Sequence, residues 1–407
     1  MANTKPPHIV ILAAGAAKRM RLEHPEALHP VFFRPMIHYV LDAAMAIPHR
    51  SVTLVVGRGE REFREQCRSY RDLHFVQQAA GTAAEHGGDI LVLRGEVVLL
   101  EPRTLVGMLT AHAGSRAACT VGRADPGDAP AAYCFRELPA GLGELELAEA
   151  ARSVGAAEFR IEDRVETMAI DDLHGLWRVE AVLQERFNRS LMLQGVALQD
   201  PRATLIDPRC RIARGVRIEG GCTVINSVLE SGACLENYCR IADSEIGPGS
   251  LLRQGSVVER ARVGRDCRVG PYARLGPGAR LHDDVWIGNF VEIMNASLGP
   301  GTRAAHQCFI GDALVGRKVG IGAGFITCAS SAGPAKQRTI IGDEVFIGGA
   351  SHSIAPVTLG AGSFIASGTS VNEDAPAGSF VISRGRQVTK PDYAKKHGRA
   401  PGSGATR

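Results

Sequence analysis

The second half of the chain repeats an aliphatic residue every six positions. A period of two would indicate an ordinary strand and a period of about 3.6 a helix. A sustained period of six instead predicts short strands joined by tight turns, three to a coil, stacked into a prism with an aliphatic interior. Glycines follow many of these residues and provide the positive φ that tight turns need. The repeating positions, with one-residue slips before Val263 and Leu298, are Ile246, Leu252, Val258, Val263, Val269, Leu275, Leu281, Ile287, Ile293, Leu298, Val315, Ile321, Thr327, Ile341, Ile347, Ser353, Leu359, Ile365 and Val371.

An inserted segment, "ASSAGPAKQRT" from Ala329 to Thr339, interrupts this repeat between Thr327 and Ile341. Inserted residues must leave a stack of coils as a loop, and such loops often build binding or catalytic sites. A tolerated surface insertion without a function is the alternative, and the two stay open at this point.

The first half of the chain alternates strand-like and helix-like stretches. The runs "HIVILAA" (from His8), "SVTLVVG" (from Ser51) and "DILVLRGE" (from Asp89) are typical of buried parallel strands, and "PMIHYVLDAAMA" has helical spacing. This alternation predicts a doubly wound α/β domain, whose ligands bind at the carboxyl ends of its strands. The stretch from Gly122 to Val165 indicates loop and one helix, with little strand.

Composition narrows the class of protein. A chain of 407 residues is long enough for two or more domains, and its formal net charge of +4 is spread without a long basic run, so we expect no nucleic-acid partner. No stretch reaches the about 20 apolar residues that span a bilayer, and the N-terminus lacks an apolar signal core, so we expect a cytoplasmic protein without membrane contact. The ten cysteines contain no CxxC pair and indicate neither a zinc site nor a disulfide framework.

These patterns predict the domain boundaries. We expect a shortened α/β domain over residues 1–170 and a connecting helix over 171–195. The repeat domain follows over 196–390, with a disordered tail over 391–407. The connecting helix is indicated by one apolar face, formed by Leu176, Val179, Leu183, Phe187 and Leu191.

Several motifs together resemble one family. They are "LAAGAAKRM", the P-x-x-LH frame, "GVALQDP", "GNFVEI", "IGAGFITC", "TIIGDEVFIG" and "APVTLGAGSFIASGT". The chain is similar to the bifunctional N-acetylglucosamine-1-phosphate uridylyltransferase / glucosamine-1-phosphate N-acetyltransferase (GlmU-type) family. The resemblance implies an α/β plus all-β protein: a Rossmann-like nucleotidyltransferase domain followed by a left-handed parallel β-helix. It also implies a homotrimer that acts on small-molecule substrates.

The N-terminal motif departs from the family pattern L-A-A-G-x-G-T-R-M followed by P-K-x-L-H. Ala17 stands at the second glycine and Glu26 at the lysine, which places an anion beside the expected triphosphate. We therefore do not expect uridylyl transfer. The resemblance implies that what remains of the nucleotide site consists of Ala14, Gly15, Arg19, Gly81 and Thr82.

The family's magnesium ligands correspond to two carboxylates here. Glu96 stands in "GEVV", where the family has G-D-V-P, and Asp171 stands at or near the family's asparagine. Both side chains still offer oxygen ligands, so a Mg²⁺ site is one interpretation. Two carboxylates at loop ends without a metal are the alternative.

The acetyltransferase half retains more of its motif residues. The family's catalytic histidine corresponds to His306, a general base toward the acceptor amine, with acetyl-CoA as the acyl donor. Lys336, Ala366 and Arg384 match positions that contact sugar phosphate or coenzyme A. The departures fall mainly on the acceptor side, where the family's two phosphate-binding cations and a tyrosine are replaced by Gly276, Met294 and Phe309.

Three hypotheses follow. In the first, which we favour, the β-helix transfers an acyl group from coenzyme A to a less anionic, amino-sugar-like acceptor. In the second, both sites are inactive and the protein is a non-catalytic trimer that serves as a binding or structural module. In the third, the chain is a working bifunctional enzyme that makes UDP-N-acetylglucosamine.

Overall fold

The structure is a computed structural model that describes residues 6–14, 20, 24–57, 59–77, 88–137, 144–328 and 337–393, with the backbone alone at 144–146. The chain divides into two compact units, Met1–Arg189 and Ser190–Arg407. Within the described residues, none of the helices is both long and apolar enough to span a bilayer.

The first unit is built on a sheet with the strand order β5-β4-β1-β6-β8-β7-β9. The strands of this unit are β1 His8–Ala13, β2 Pro30–Val31, β3 Arg34–Pro35, β4 Ser51–Val56, β5 Leu73–Gln77, β6 Ile90–Arg94, β7 Cys119–Arg123, β8 Ala132–Phe135 and β9 Ala157–Arg160. The helices are α1 Met36–Met45, α2 Glu60–Gln66, α3 Pro102–Gly114, α4 Glu144–Ser153 and α5 Leu173–Leu193, and short 3-10 helices cover Glu26–Leu28 and Arg164–Thr167.

The three predicted apolar runs form β1, β4 and β6, which pair in parallel at the centre of this sheet. Their side chains are buried on both faces, which explains why they are continuously apolar rather than alternating. Gly95 follows β6, and its amide donates to the carbonyl of Leu12 over 2.8 Å. A Cβ at Gly95 would lie 2.7 Å from that carbonyl oxygen, so glycine lets the ends of β1 and β6 approach closely.

The region from Gly122 to Val165 differs from the expectation. Besides α4 it contributes β8, which runs antiparallel to β6 and β7, and β9, which pairs in parallel with β7. The expected scarcity of strand was therefore wrong. All four residues of β8 are buried, so this short strand shows no alternation of apolar and polar residues by which it could be found.

The second unit is a three-sided parallel β-helix, with eleven, ten and nine described strands on its three faces. The first face contains β10 Ala197–Leu198, β13 Arg217–Ile218, β16 Cys234–Leu235, β19 Leu251–Leu252, β22 Arg268–Val269, β25 Trp286–Asn289, β28 Arg303–His306, β31 Gly320–Ile321, β34 Phe346–Ile347, β37 Phe364–Ile365 and β39 Phe380–Val381.

The second face contains β11 Leu205–Ile206, β14 Thr223–Ile225, β17 Arg240–Ala242, β20 Val257–Glu259, β23 Arg274–Leu275, β26 Glu292–Met294, β29 Phe309–Gly311, β32 Ile326–Cys328, β35 His352–Ile354 and β38 Ser370–Val371. The third contains β12 Arg211–Ile212, β15 Val228–Leu229, β18 Glu245–Ile246, β21 Arg262–Val263, β24 Arg280–Leu281, β27 Ser297–Leu298, β30 Ala313–Val315, β33 Thr339–Ile341 and β36 Val357–Leu359.

Each position of the six-residue repeat is buried inside this prism, as the sequence predicted. The slips in the repeat also have a structural cause. Arg260 and Asn295, at the corners before Val263 and Leu298, adopt positive φ angles of 49° and 47°, and at these corners successive inward residues are five positions apart instead of six. Asparagine tolerates this left-handed conformation better than most residues.

The inserted segment does not interrupt the stack. Val315 on β30 pairs directly with Ile341 on β33, so the sheet continues from one side of the insertion to the other. Residues 329–336 of the insertion lie outside the described residues.

The predicted fold class is confirmed: a Rossmann-like nucleotidyltransferase domain is followed by a left-handed parallel β-helix. The expected connecting helix corresponds in position to α5, and the β-helix begins with Ala197. The exact domain limits stay predictions. So does the tail, of which residues 394–407 lie outside the described residues.

Candidate functional site

His306 is the last residue of β28 and lies at a corner of the β-helix. Its neighbour in the preceding coil is Asn289, the last residue of β25 and its direct register partner. The Nδ1–H of His306 donates a hydrogen bond of 2.8 Å to Oδ1 of Asn289. Because the proton is then on Nδ1, Nε2 carries the free lone pair. The side chain of His306 is exposed, so this nitrogen can accept a proton from a bound molecule.

The backbone around the corner keeps the pair together. Gln307 turns the chain with a positive φ of 40°, and its amide donates to the carbonyl of Asn289 over 3.0 Å. The thiol of the buried Cys308 donates to the carbonyl of His306 over 3.0 Å. Burial raises the pKa of this thiol, so Cys308 stays protonated and acts as a donor. The imidazole thus projects from a fixed backbone.

The predicted acceptor side is apolar. A Cβ on Gly276 would lie 2.9 Å from Cγ of Met294, so the methionine side chain covers the point from which a longer side chain would extend. Phe309 is half-buried on the neighbouring strand of the same face. The nearby Glu292 carboxylate is paired with Arg274 over 2.5 Å. No unpaired cation among these residues is available for a phosphate group.

The residues predicted to contact acyl-CoA or acceptor lie several coils further on. Ala366 is buried and follows β37, and its amide donates to the carbonyl of Val381 on β39 over 2.9 Å. Arg384 is exposed, and its Cδ lies 3.6 Å from the position of a Cβ on Gly368. The structure therefore brings Ala366 and Arg384 into adjoining coils. Lys336 lies outside the described residues.

The N-terminal candidates are described only in part. Ala14 follows β1 at the carboxyl edge of the sheet, where the family pattern places nucleotide. Gly15, Arg19, Gly81 and Thr82 lie outside the described residues.

The two predicted metal ligands lie on neighbouring backbone segments. The amide of Ile170 donates to the carbonyl of Glu96 over 3.0 Å, so Asp171, the next residue, stands beside Glu96 at the carboxyl edge of the sheet. The Glu96 carboxylate is not open to a metal on all sides, because Nη2 of Arg94 lies 2.5 Å from its Oε1.

These two carboxylates match the ligand preference of Mg²⁺, which often takes one or two carboxylates and completes its shell with substrate phosphates and water. The described residues contain no group of three or more His, Cys, Asp or Glu side chains that would hold a metal without such help. The guanidinium of Arg94 would repel a cation at Glu96, so the pair fits Mg²⁺ only weakly.

Sequence reasoning missed Asn289 and Arg94. The signal for Asn289 was present, since it precedes His306 by seventeen residues, the length of one coil. The sequence contains no comparable signal that Arg94 pairs with Glu96. An arginine at the end of a strand is common, and the direction of its side chain decides which carboxylate it contacts.

Comparison with known proteins supports the sequence resemblance. A MobA-like NTP transferase domain matches residues 9–162. The bifunctional protein GlmU of Pelobacter propionicus is 35% identical to the chain, over 94% of this chain and 97% of its own length. The GlmU proteins of Cupriavidus taiwanensis and Methylobacillus flagellatus are each 34% identical, over 94% and 96% of this chain and 97% and 98% of their own lengths. The chain therefore belongs to the GlmU family of bifunctional sugar-nucleotide pathway proteins.

Proposed function

We propose that the β-helix is an N-acyltransferase that uses acetyl-CoA as donor and His306 as general base. The hydrogen bond from Nδ1 of His306 to Asn289 carries this proposal. It selects the tautomer in which Nε2 is the base, and it holds the ring where a second substrate can reach it.

The reaction follows from this arrangement. The acceptor amine attacks the thioester carbonyl, so a C–N bond forms and the C–S bond breaks. Nε2 of His306 takes the proton that the amine loses. That proton then passes to the departing thiolate, which leaves as the coenzyme A thiol. Asn289 acts as a positioning residue, since it contacts the base and not the substrate.

By the family resemblance, Lys336, Ala366 and Arg384 contact the acyl-CoA or the acceptor. The resemblance also implies a homotrimer, in which neighbouring subunits would complete the site. The placement of Ala366 and Arg384 in adjoining coils supports one common binding surface for them. The contribution of Lys336 and the trimer itself remain part of the proposal.

The acceptor is proposed to be less anionic than glucosamine 1-phosphate. Met294 and Gly276 fill the region where two cations would hold a phosphate, and the ion pair of Glu292 with Arg274 leaves no free charge there. Each charged hydrogen bond that is lost costs about 1.5–3 kcal/mol of binding. An amino sugar without a phosphate suits this surface better.

The N-terminal domain is proposed to lack uridylyltransferase activity. Glu26, the first residue of the 3-10 helix Glu26–Leu28, and the pairing of Arg94 with Glu96 both oppose a Mg²⁺–triphosphate complex. Should a Mg²⁺ ion bind, Glu96 and Asp171 would hold it, and the ion would neutralise phosphate charge.

The decisive experiment incubates the purified protein with acetyl-CoA and a panel of amino sugars and follows release of free thiol. Thiol release that His306→Ala abolishes supports the proposal. His282→Ala is the matched control, because His282 is also an exposed β-helix histidine that bonds a side chain, Ser297, over 3.2 Å. Wild-type protein that neither releases thiol nor binds coenzyme A by calorimetry would overturn the proposal in favour of a non-catalytic trimer.

A second assay tests the N-terminal domain separately. We expect no pyrophosphate from UTP and N-acetylglucosamine 1-phosphate with Mg²⁺. Turnover in this assay would contradict the inactive domain and support the full bifunctional enzyme.

A further inference from the structure

The first unit contains a cavity that none of the candidate site residues lines. It has a volume of about 540 Å³ and lies between α4 and the strands β7, β8 and β9. The cavity exists because α4 presents the small side chains of Ala148 and Ala151 toward this end of the sheet, and glycine and alanine follow at Gly155 and Ala156. Its size falls within the range of small-molecule pockets.

Two arginines of this cavity are incompletely paired. Nε of Arg123 is buried and has no hydrogen-bond partner among the described residues. The nearest carboxylate oxygen, Oε1 of Glu158, is 3.6 Å away, which is too far for a hydrogen bond. Arg152, an exposed arginine in the last turn of α4, also lines the cavity and forms no ion pair within the described part of the chain, so it is open to a ligand. Buried donors are normally satisfied, so this unpaired Nε indicates that a partner is missing.

The acidic residues of the cavity do not cancel this charge. Asp128 lies 3.7 Å from Arg164, outside the cavity lining, and is therefore already engaged. Glu158 forms only a weak ion pair with Arg123, because its Oε1 is 3.6 Å from the Arg123 Nε. The lining thus holds two guanidinium groups and two carboxylates, none of the described ion pairs joins either carboxylate to Arg152, and an apolar wall is formed by Val121 and the ring of Tyr133.

The position of the cavity agrees with ligand binding. Arg123 ends β7, which runs in the same direction as β6, so the cavity reaches the carboxyl edge where doubly wound sheets bind their ligands. One wall is anchored to β6, because Nη1 of Arg94 donates to the carbonyl of Pro130 over 3.2 Å. Glu96 and Asp171 are not among the lining residues, so this cavity is separate from the candidate metal site.

We propose that this cavity binds a small organic anion, with its carboxylate or phosphate group on Arg123 and Arg152 and its apolar body against Val121 and Tyr133. Guanidinium groups suit both anions, because their planar donors match two oxygen atoms at once. The inference does not depend on the acyltransferase proposal, since it concerns the other unit of the chain.

Calorimetric titration of the full chain tests this site with four probes: phenyl phosphate, benzoate, inorganic phosphate and benzamide. We expect saturable binding of phenyl phosphate or benzoate, and at least about tenfold weaker binding of inorganic phosphate, which has no apolar body, and of benzamide, which has no charge. The tighter of the two aromatic anions identifies the acidic group.

Variants assign the binding to this cavity. Arg123→Gln and Arg152→Gln should each weaken the binding about tenfold or more, whereas Arg116→Gln, an exposed arginine outside the cavity, should leave it unchanged. Ala148→Leu, which fills the cavity without removing a charge, should abolish binding while circular dichroism remains that of the folded protein. Absence of saturable binding by the wild type, or unchanged affinity in both arginine variants, would overturn the proposal.

Discussion

The imidazole of His306 is held by Asn289 from the preceding coil, through a hydrogen bond of 2.8 Å between Nδ1 and Oδ1. Asn289→Leu removes the acceptor, and we expect kcat for acyl transfer to fall about tenfold to a hundredfold. This is less than the loss of about 10²–10⁴-fold expected when a general base itself is removed. Since Asn289 does not contact substrate in this arrangement, KM for acetyl-CoA should change little.

Asn289→Asp is the matched control, because a carboxylate oxygen still accepts the Nδ1 proton. It should restore most of the activity and move the acidic limb of the pH–rate profile to higher pH, since a neighbouring negative charge favours the imidazolium. Equal losses in the leucine and aspartate variants would show that Asn289 serves only the packing of its coil.

We expect the residues at positions Gly276 and Met294 to determine together which acceptor the β-helix prefers. Gly276→Arg requires the side chain at position 294 to change rotamer, because its Cβ would lie 2.9 Å from Cγ of Met294, and a lysine at 294 has a Cγ at the same place. Combined with Met294→Lys, which supplies a second cation, it should raise kcat/KM for glucosamine 1-phosphate by about tenfold or more. Met294→Lys alone is the control. A folded double variant with no gain would contradict the assignment of this surface to the acceptor.

Thr327 is a polar residue at an interior position of the six-residue repeat. Its hydroxyl accepts from the amide of Gly311 over 2.7 Å and donates to the carbonyl of the same residue over 2.8 Å. Thr327→Val keeps the shape but leaves both backbone groups unsatisfied, so we expect a loss of about 1–3 kcal/mol in the free energy of unfolding. Thr327→Ser keeps the hydroxyl, so its free energy of unfolding, measured by chemical denaturation alongside Thr327→Val, should fall clearly less.

His112 is fully buried in the first unit, where its Nδ1 lies 2.8 Å from Oγ1 of Thr120. Burial lowers its pKa; Asp89, 3.8 Å from Nε2, opposes this lowering, and Arg136 adds to it. The unfolded chain therefore binds a proton more readily than the folded chain. The contribution of neutral His112 to the free energy of unfolding is complete above the ordinary histidine pKa of about 6.5, and it is lost as the pH falls toward the lower pKa of the folded state.

We therefore expect the stability of the first unit to decrease on acidification below about pH 6.5, and His112→Asn to flatten this dependence. His29 and His38 have pKa values lowered in the same direction, so part of the dependence should remain in the variant. His74→Asn, at an exposed position on β5, provides the control. An equally steep pH dependence in His112→Asn would contradict this role.

The β-helix could be predicted in detail because one short pattern is repeated in every coil. Each repeating residue must point inward, so the sequence alone places Ile287 or Leu359 in the interior. The first unit could be predicted in less detail, because β8 and β9 are short and are defined by pairing partners that are distant in the chain. Local sequence carries little information on such pairing.

The candidate site was likewise predictable only in part. The family motif identified His306, and its spacing of seventeen residues from Asn289, one coil, was a signal for their contact. The pairing of Arg94 with Glu96 depends on side-chain directions at the end of a single strand. Interactions of this kind follow from three-dimensional placement rather than from residue type.

Each coil of the β-helix is bonded only to the coil before it and the coil after it, so fraying begins at the two ends and advances inward. His306 is on the seventh of the eleven described strands of its face, well away from either end. Ala366 and Arg384 instead follow the tenth and the eleventh strand. We therefore expect the proposed base to lie on the slowly opening part of the solenoid, and Ala366 and Arg384 to lie near one of the two ends where opening begins.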